Sequence, residues 1–288
     1  VIDIDDVEHL KNTVSVEKFL KMDLRDFFLN EKIRLSHNTS WNAQCLSWRD
    51  KWPVYQQEYR QESLVNMYEC IKALGEHMPN NAHVVADAGS AYYVTSQALQ
   101  IKQGTKYHTS GAQADMGFSL PAAIGISYAN KGAPVIGITG DGSFQMNIQE
   151  LQVLWENKPN VKIIIFNNNG YLSIKTTQKK FFNERYAGTG AGYGLSNPDF
   201  GKIVRAYGLN YLKAESPSEL YKKMGLLFSD NQPCIFEVIC PEWQEVIPNV
   251  SALKKADGSM VSKPIEDMYP FLERDEFFNQ MIVTPVKE

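Results

Sequence analysis

From Gln61 to Ile239 the chain alternates two hydrophobic patterns. Short apolar runs rich in β-branched residues read as strands buried on both faces, and apolar stripes at spacings of three and four read as helices packed against them. The strand-like runs are His83–Ala86, Lys106–Thr109, Pro134–Thr139, VKIIIF just before Asn167, Leu209–Lys213 and Cys234–Ile239. Between them, Leu64, Met67, Ile71 and Leu74 form one stripe that stops at Gly75 and Pro79. Further helices are predicted over Tyr92–Ile101, Asp199–Tyr207 and Ser218–Phe228. Met116–Asn130 is rich in small residues, which suits a helix packed closely on its neighbours, with Pro121 in its first turn or at a kink. After Gly142, Ile148, Leu151, Leu154 and Trp155 recur at helical spacing, and Asn147 with Glu150 has the spacing of a capping box. Strands alternating with helices predict an α/β fold, a doubly wound parallel sheet with helices on both faces. Ligands of such sheets sit beyond the carboxyl ends of the strands, where the glycine and asparagine clusters of this chain also fall.

The first 60 residues follow a different pattern. VIDID reads as a short strand, and residues 8–35 alternate apolar and charged groups at helical spacing, with Val16, Phe19, Leu20 and Leu24 as the apolar face. Ser36–Glu58 is polar, carries Trp41, Trp48, Trp52 and Pro53, and reads as a linker. The expected organisation is therefore the tail of a preceding domain plus linker over residues 1–50, and an α/β domain with a C-terminal extension over 51–288.

Composition narrows the function classes. A net charge of −4 argues against nucleic acid as the main partner. No run of about 18 apolar residues is present to span a membrane, and the acidic start does not look like a signal peptide. Cys45, Cys70, Cys234 and Cys240 show neither CxxC spacing nor a dense framework, so idle thiols in a cytoplasmic protein are expected.

The candidate chemistry lies between Gly140 and Gly170. Gly140-Asp141-Gly142 follows a buried strand; two glycines around a carboxylate let the backbone approach a ligand, and the next helix offers free N–H groups to an anion. One helix and one strand later, Asn167, Asn168 and Asn169 reach the same sheet edge. Taken singly, Asp141 is ordinary turn chemistry and Asn167–Gly170 an ordinary loop. Together, with 24 residues between Gly142 and Asn167, they place an Asp and an Asn oxygen beside a phosphate-binding helix start, a site suited to Mg2+.

GDG followed by NN at this distance resembles the diphosphate-binding signature of thiamine-diphosphate-dependent enzymes. TSGAQADMGFSLPAAIG (Thr109–Gly125), SKPIEDMYPFL (Ser262–Leu272) and VIDIDDVEHLKN are similar to segments of the acetolactate synthase group, which includes related decarboxylases, oxidases and carboligases. The resemblance covers nearly the whole chain. It implies that thiamine diphosphate and Mg2+ are the cofactors, with Asp141 and Asn168 binding the metal through side-chain oxygens and a backbone carbonyl near Gly170 as third protein ligand. Gly140, Gly142, Ser143 and Tyr171 would line the diphosphate, and the turn Gly89-Ser90-Ala91 would face its other side. Met116 matches the apolar residue that wedges under the cofactor and bends it into a V; by its residue type alone it reads equally as core packing.

The implied reaction is decarboxylation of a 2-oxo acid, followed by release of an aldehyde or by carboligation to a second carbonyl compound. The glutamate that activates the cofactor in this family belongs to a pyrimidine-binding domain, which has no counterpart in this sequence. The resemblance thus implies either a fragment of a longer protein or a separate partner chain, in a homodimer or homotetramer. Two departures bear on specificity. Thr177 stands where the group places a tryptophan that shapes the acceptor pocket, and Ser90-Ala91 replaces a Gln-His pair. A larger or more polar acceptor is therefore expected.

Three features remain open on sequence alone. Gly188–Gly194 reads as a lid or as a plain flexible loop, and no apolar strand precedes it as a dinucleotide loop requires. Lys175, Lys179, Lys180 and Arg185 read as a solvated charged face or as an attractor for an anionic substrate, and His108 as a structural or a catalytic histidine. The competing functions are a simple 2-oxo acid decarboxylase and a non-catalytic cofactor-binding subunit; a dehydrogenase is disfavoured by the missing GxGxxG.

Overall fold

The computed structural model describes residues 1–11, 15–30, 38–130, 132–254, 258 and 260–285. The chain separates into two compact units, Val1–Pro53 and Val54–Glu288.

In the first unit, strands β1 (Ile2–Asp3) and β2 (Leu20–Lys21) pair in parallel, and helices α1 (Leu24–Asn30) and α2 (Thr39–Lys51) follow. Of the helical face expected over residues 8–35, residues 12–14 and 31–35 lie outside the described residues, and the described part is not one helix. Leu20 lies in β2 and Leu24 begins α1, both exposed. Within this stretch Asp23 Oδ1 accepts the Arg25 N–H at 2.7 Å, a local turn at the start of α1. Helix α2 occupies most of the stretch read as a linker. Asn38 Oδ1 caps α2 by accepting the Trp41 N–H at 2.9 Å, and Trp41 and Trp48 meet edge to face. Among its described side chains none is buried, so this helix has no apolar stripe to betray it.

The second unit contains α3 (Met67–His77), β3 (His83–Ala86), α4 (Gly89–Ala98), β4 (Lys106–Thr109), α5 (Ser119–Ala129), β5 (Val135–Gly140), α6 (Asp141–Met146) and α7 (Leu151–Asn157). It continues with β6 (Val161–Asn167), α8 (Leu172–Phe181), α9 (Phe200–Ala206), β7 (Asn210–Ala214), α10 (Pro217–Leu227) and β8 (Cys234–Ile239). A hairpin of β9 (Ala252–Lys254) and β10 (Met260–Ser262) precedes α11 (Arg274–Gln280). Strands β4-β3-β5-β6-β8-β7 form one six-stranded sheet, parallel throughout. The expected doubly wound architecture is the observed one.

Alternation along each strand divides the core in two. Ile136, Ile138, Ile164, Phe166, Phe236 and Val238 face a layer of α3, α4 and α10. Val135, Ile163, Ile165 and Ile235 face α5, Phe144 of α6, α7 and α9. Helix α5 comes close to the sheet at Gly137, where a Cβ would lie 2.6 Å from Ile163 Cδ1 and 3.8 Å from Ala123 Cβ. The small residues of α5 thus serve close packing, and Pro121 sits in its first turn. The helix expected after Gly142 is broken into α6, a 3-10 turn over Ile148–Glu150, and α7. Asn147 forms no capping box: its Nδ2 donates instead to the Gly117 carbonyl at 2.8 Å.

Cys70, Cys234 and Cys240 are buried free thiols and Cys45 is exposed and free; burial pushes all three buried thiols up, Cys234 to about 11. Among the described residues, no helix is long and apolar enough to cross a membrane.

Candidate functional site

Chain order reverses direction across the sheet between β3 and β5, the kind of switch point beside which α/β sheets bind ligands. Gly140 pairs with Phe166, so Asp141 and Asn168 leave the carboxyl ends of neighbouring strands within two residues of that pair. Asp141 is 1% exposed and Asn168 6%. Asp141 Oδ1 accepts the Gly142 N–H at 2.7 Å, and Oδ2 accepts the Gly170 N–H at 2.9 Å and Asn197 Nδ2 at 2.8 Å. Burial holds this carboxyl above the usual aspartate range, against the pull of these donors.

The three asparagines have different tasks. Asn167 Oδ1 accepts the Asn169 N–H, and its Nδ2 donates to Glu237 of β8. Asn169 takes the left-handed conformation at φ 60°, which asparagine tolerates better than most residues. Asn168 keeps a buried amide nitrogen without a hydrogen-bond partner, as does the Thr189 hydroxyl. Gly170 sits at φ 144° and pairs with Gly190; a Cβ there would lie 2.1 Å from the Thr189 carbonyl oxygen. The Tyr171 N–H donates to that same carbonyl at 2.9 Å, and the Tyr171 ring lies over Gly142, where a Cβ would come within 2.0 Å of Cε1. The Gly188–Gly194 segment is therefore an ordered, hydrogen-bonded loop, with Thr189 fully buried against the Gly170 turn.

Two more groups converge here. Gly89, Ser90 and Ala91 form the first turn of α4 rather than a free turn, and Ala88 provides no side-chain cap for their N–H groups. A Cβ on Gly89 would lie 3.3 Å from Ser173 Oγ, so the starts of α4 and α8 abut. Helix α6 likewise starts at Asp141 without a side-chain cap, and Ser143 lies buried in its first turn. Met116 is half-buried, and the turn it shares with Gly117 is pinned to the end of α6 by the Asn147 bond. In this structure the Gly142 N–H is taken by Asp141 itself.

Sequence reasoning missed Asp87 and Asn197. Asp87 is 1% exposed and accepts the Ser119 N–H at 3.1 Å and the Thr139 hydroxyl at 2.5 Å, with the Gly117 and Phe118 amides also directed at it. It anchors the start of α5 to β3 and β5, and burial raises its pKa. Its only sequence signal was an aspartate at the end of a buried strand. Asn197, in a polar stretch, carried none. Lys175 corrects the solvated-face reading, for it is 1% exposed and ion-paired to Glu242; Lys179, Lys180 and Arg185 are exposed. His108 bonds to His83 of the neighbouring strand at 3.1 Å with the rings stacked, and burial lowers the pKa of both, which makes His108 structural.

Among the described residues, no three His, Cys, Asp or Glu side chains converge, so a soft-metal site is not formed there. A hard cation needs oxygen, and one carboxylate, one amide and one carbonyl suit it. Three hydrogen bonds hold Asp141 and the Asn169 amide is also directed at it, so a cation at its oxygens would share or displace these donors. The partnerless Asn168 amide, together with two uncapped helix starts, fits an absent polar ligand bearing anionic groups.

Residues 87–238, more than half of the chain, match the family model described as thiamine pyrophosphate enzyme, C-terminal TPP binding domain. The chain belongs to this family. Proteins with similar sequence include the acetolactate synthase large subunit of Lactococcus lactis subsp. lactis, 28% identical over 87% of this chain and 43% of the relative. The large subunit of Haemophilus influenzae is 29% identical over 92% of this chain and 47% of the relative. The mitochondrial catalytic subunit of Saccharomyces cerevisiae is 30% identical over 75% and 31%. The chain spans less than half the length of these relatives.

Proposed function

We propose that this chain supplies the diphosphate- and Mg2+-binding half of a thiamine-diphosphate-dependent enzyme that decarboxylates a 2-oxo acid and joins the remaining carbons to a second carbonyl compound. The observation that carries this reading is the buried Asp141 carboxylate bonded to the Gly170 turn, beside the partnerless amide of Asn168. Asp141, Asn168 and the Gly170 carbonyl would hold Mg2+, and the uncapped starts of α4 and α6 would receive the diphosphate. Once bound, the cofactor supplies a carbon nucleophile and an electron sink, which acidic side chains do not offer.

The residues of this chain orient and shield. Met116 would support the cofactor from a turn that Asn147 and Asp87 hold in place. Tyr171 covers Gly142 and the Thr189 backbone closes over the Gly170 turn, limiting water near the metal ligands. No side chain here is assigned to activate the cofactor. In this reading a pyrimidine-binding domain does so, from a second subunit or another part of a longer protein, in a cytoplasmic homodimer or homotetramer.

At the acceptor side, Thr177 is exposed and its hydroxyl bonds back to the Ser173 carbonyl at 3.0 Å, so it offers neither bulk nor a free donor. The reading is therefore a carboligase whose acceptor is larger or more polar than pyruvate. The test is product analysis of the full-length protein with pyruvate, thiamine diphosphate and Mg2+. Carbon dioxide release with ligation to bulkier carbonyl acceptors is expected. Ordinary acetolactate formation with bulkier acceptors ignored would refute the acceptor assignment, and no turnover of any 2-oxo acid would refute the enzyme.

A further inference from the structure

Beside the Gly170 turn lies a cavity of ≈ 440 Å³ whose lining includes Lys175, Lys179, Glu184, Glu242, Tyr186, Tyr193 and Trp243. None of the expected cofactor or metal residues lines it. It adjoins their turn nonetheless, because a Cβ on Gly190 would lie 2.7 Å from Lys175 Nζ, and Gly190 pairs with Gly170.

We propose that this cavity binds a carbohydrate, and that in the full enzyme it seats the hydroxylated part of the acceptor; the latter half of the statement rests on the carboligase reading. The lining excludes the simpler ligands. Two cations face two carboxylates, and Lys175 is already paired with Glu242, so nothing favours a net anion or a net cation. Four charged side chains make it unsuitable for a plain acyl chain. Tyr186 meets Tyr193 at 56° and Trp243 at 62°, with ring centroids 5.1 and 5.7 Å away. Rings tilted this way form no parallel-walled slot for a flat base. They form a faceted wall, which suits the C–H faces of a puckered ring.

The polar groups complete the match. A sugar hydroxyl both donates and accepts, and this lining offers ammonium donors and carboxylate acceptors side by side. Lys175 is 1% exposed and held by the Glu242 pair, so one donor is fixed in place, and the ammonium groups of Lys175 and Lys179 lie 5.7 and 5.4 Å from the Trp243 ring. The volume falls in the range of small-molecule sites and exceeds what the methyl group of pyruvate requires. Lys175 and Lys179 are one helical turn apart on α8, so both reach the cavity, whereas Thr177 between them does not line it.

Saturation-transfer NMR on the full-length protein tests this without cofactor, using the methyl glycosides of glucose, galactose, mannose and xylose as probes, with pyruvate and inorganic phosphate as controls. Transfer to the ring C–H protons of at least one glycoside is expected, with affinity falling at least tenfold in Trp243→Ala and in Tyr193→Ala. Both side chains are more than two-fifths exposed, so truncation opens no core. No transfer to any glycoside, transfer unchanged in both variants, or binding of phosphate alone would overturn the proposal. Glycoside binding by a protein that fails to bind thiamine diphosphate would retain the carbohydrate site and remove only its role in carboligation.

Discussion

Asp141 collects donors from three separate stretches: its own helix start, the Gly170 turn and Asn197. Such convergence makes single substitutions informative. Gly170→Ala would force a Cβ to within 2.1 Å of the Thr189 carbonyl at a φ of 144°, and both the clash and the strained backbone cost stability. A loss of about 2–4 kcal/mol is expected in urea unfolding, with an unchanged m-value; wild-type stability would contradict the turn geometry. Asp87 gives a pH signature. Its folded pKa is raised by burial, so its charged form is penalised in the native state. That penalty is absent below the ordinary aspartate pKa and grows as pH rises through the raised value, whereas Asp87→Asn carries none. Wild type should therefore lose stability relative to Asp87→Asn as pH rises above the ordinary aspartate range, read as a widening Tm difference; parallel pH curves would contradict the assignment. At this scale the sequence revealed the residues that share a glycine or asparagine motif. Asp87 and Asn197 act through folded contacts and carry no local spacing, which is why they were not legible.

Among the elements, α8 joins the candidate site to its surroundings. Its start follows the Gly170 turn, its Ser173 abuts α4, and its Lys175 reaches both Gly190 and Glu242. Lys175→Met keeps most of the volume but removes the charge that holds the Glu242 segment, while the half-exposed Glu242 can turn to water. Amide hydrogen exchange should accelerate at least tenfold over residues 188–194 and at Tyr171, with β6 unchanged; equal rates in the loop would show that the pair positions nothing. The inner strands β3, β5, β6 and β8 were legible because each is an apolar run, rich in β-branched residues and buried almost throughout, while the edge strands β4 and β7 are only partly buried. Helices with an apolar stripe, such as α3 and α10, were legible too. α2 was not, because its apolar residues, Trp41, Leu46 and Trp48 among them, form no buried face, and the helix after Gly142 breaks where Asn147, with the spacing of a cap, donates its amide to Gly117 instead.

Across the whole molecule, six parallel strands bring motifs 24 residues apart to one edge, and the sheet order β4-β3-β5-β6-β8-β7 places them beside a switch point. That result follows from alternation and right-handed crossovers, so the sheet was legible at the level of the complete domain. The cavity beside the Gly170 turn was not, since its wall joins α8 and the residues just after it to Glu242, which lies 67 residues beyond Lys175. The central claim is that Asp141 and Asn168 anchor thiamine diphosphate through Mg2+. Isothermal titration of the full-length protein with thiamine diphosphate measures this most directly, comparing wild type with Asp141→Asn, each shown folded by circular dichroism. Binding that requires Mg2+ and weakens at least a hundredfold in Asp141→Asn is predicted; binding that is independent of Mg2+, or equal in the two proteins, would contradict the account.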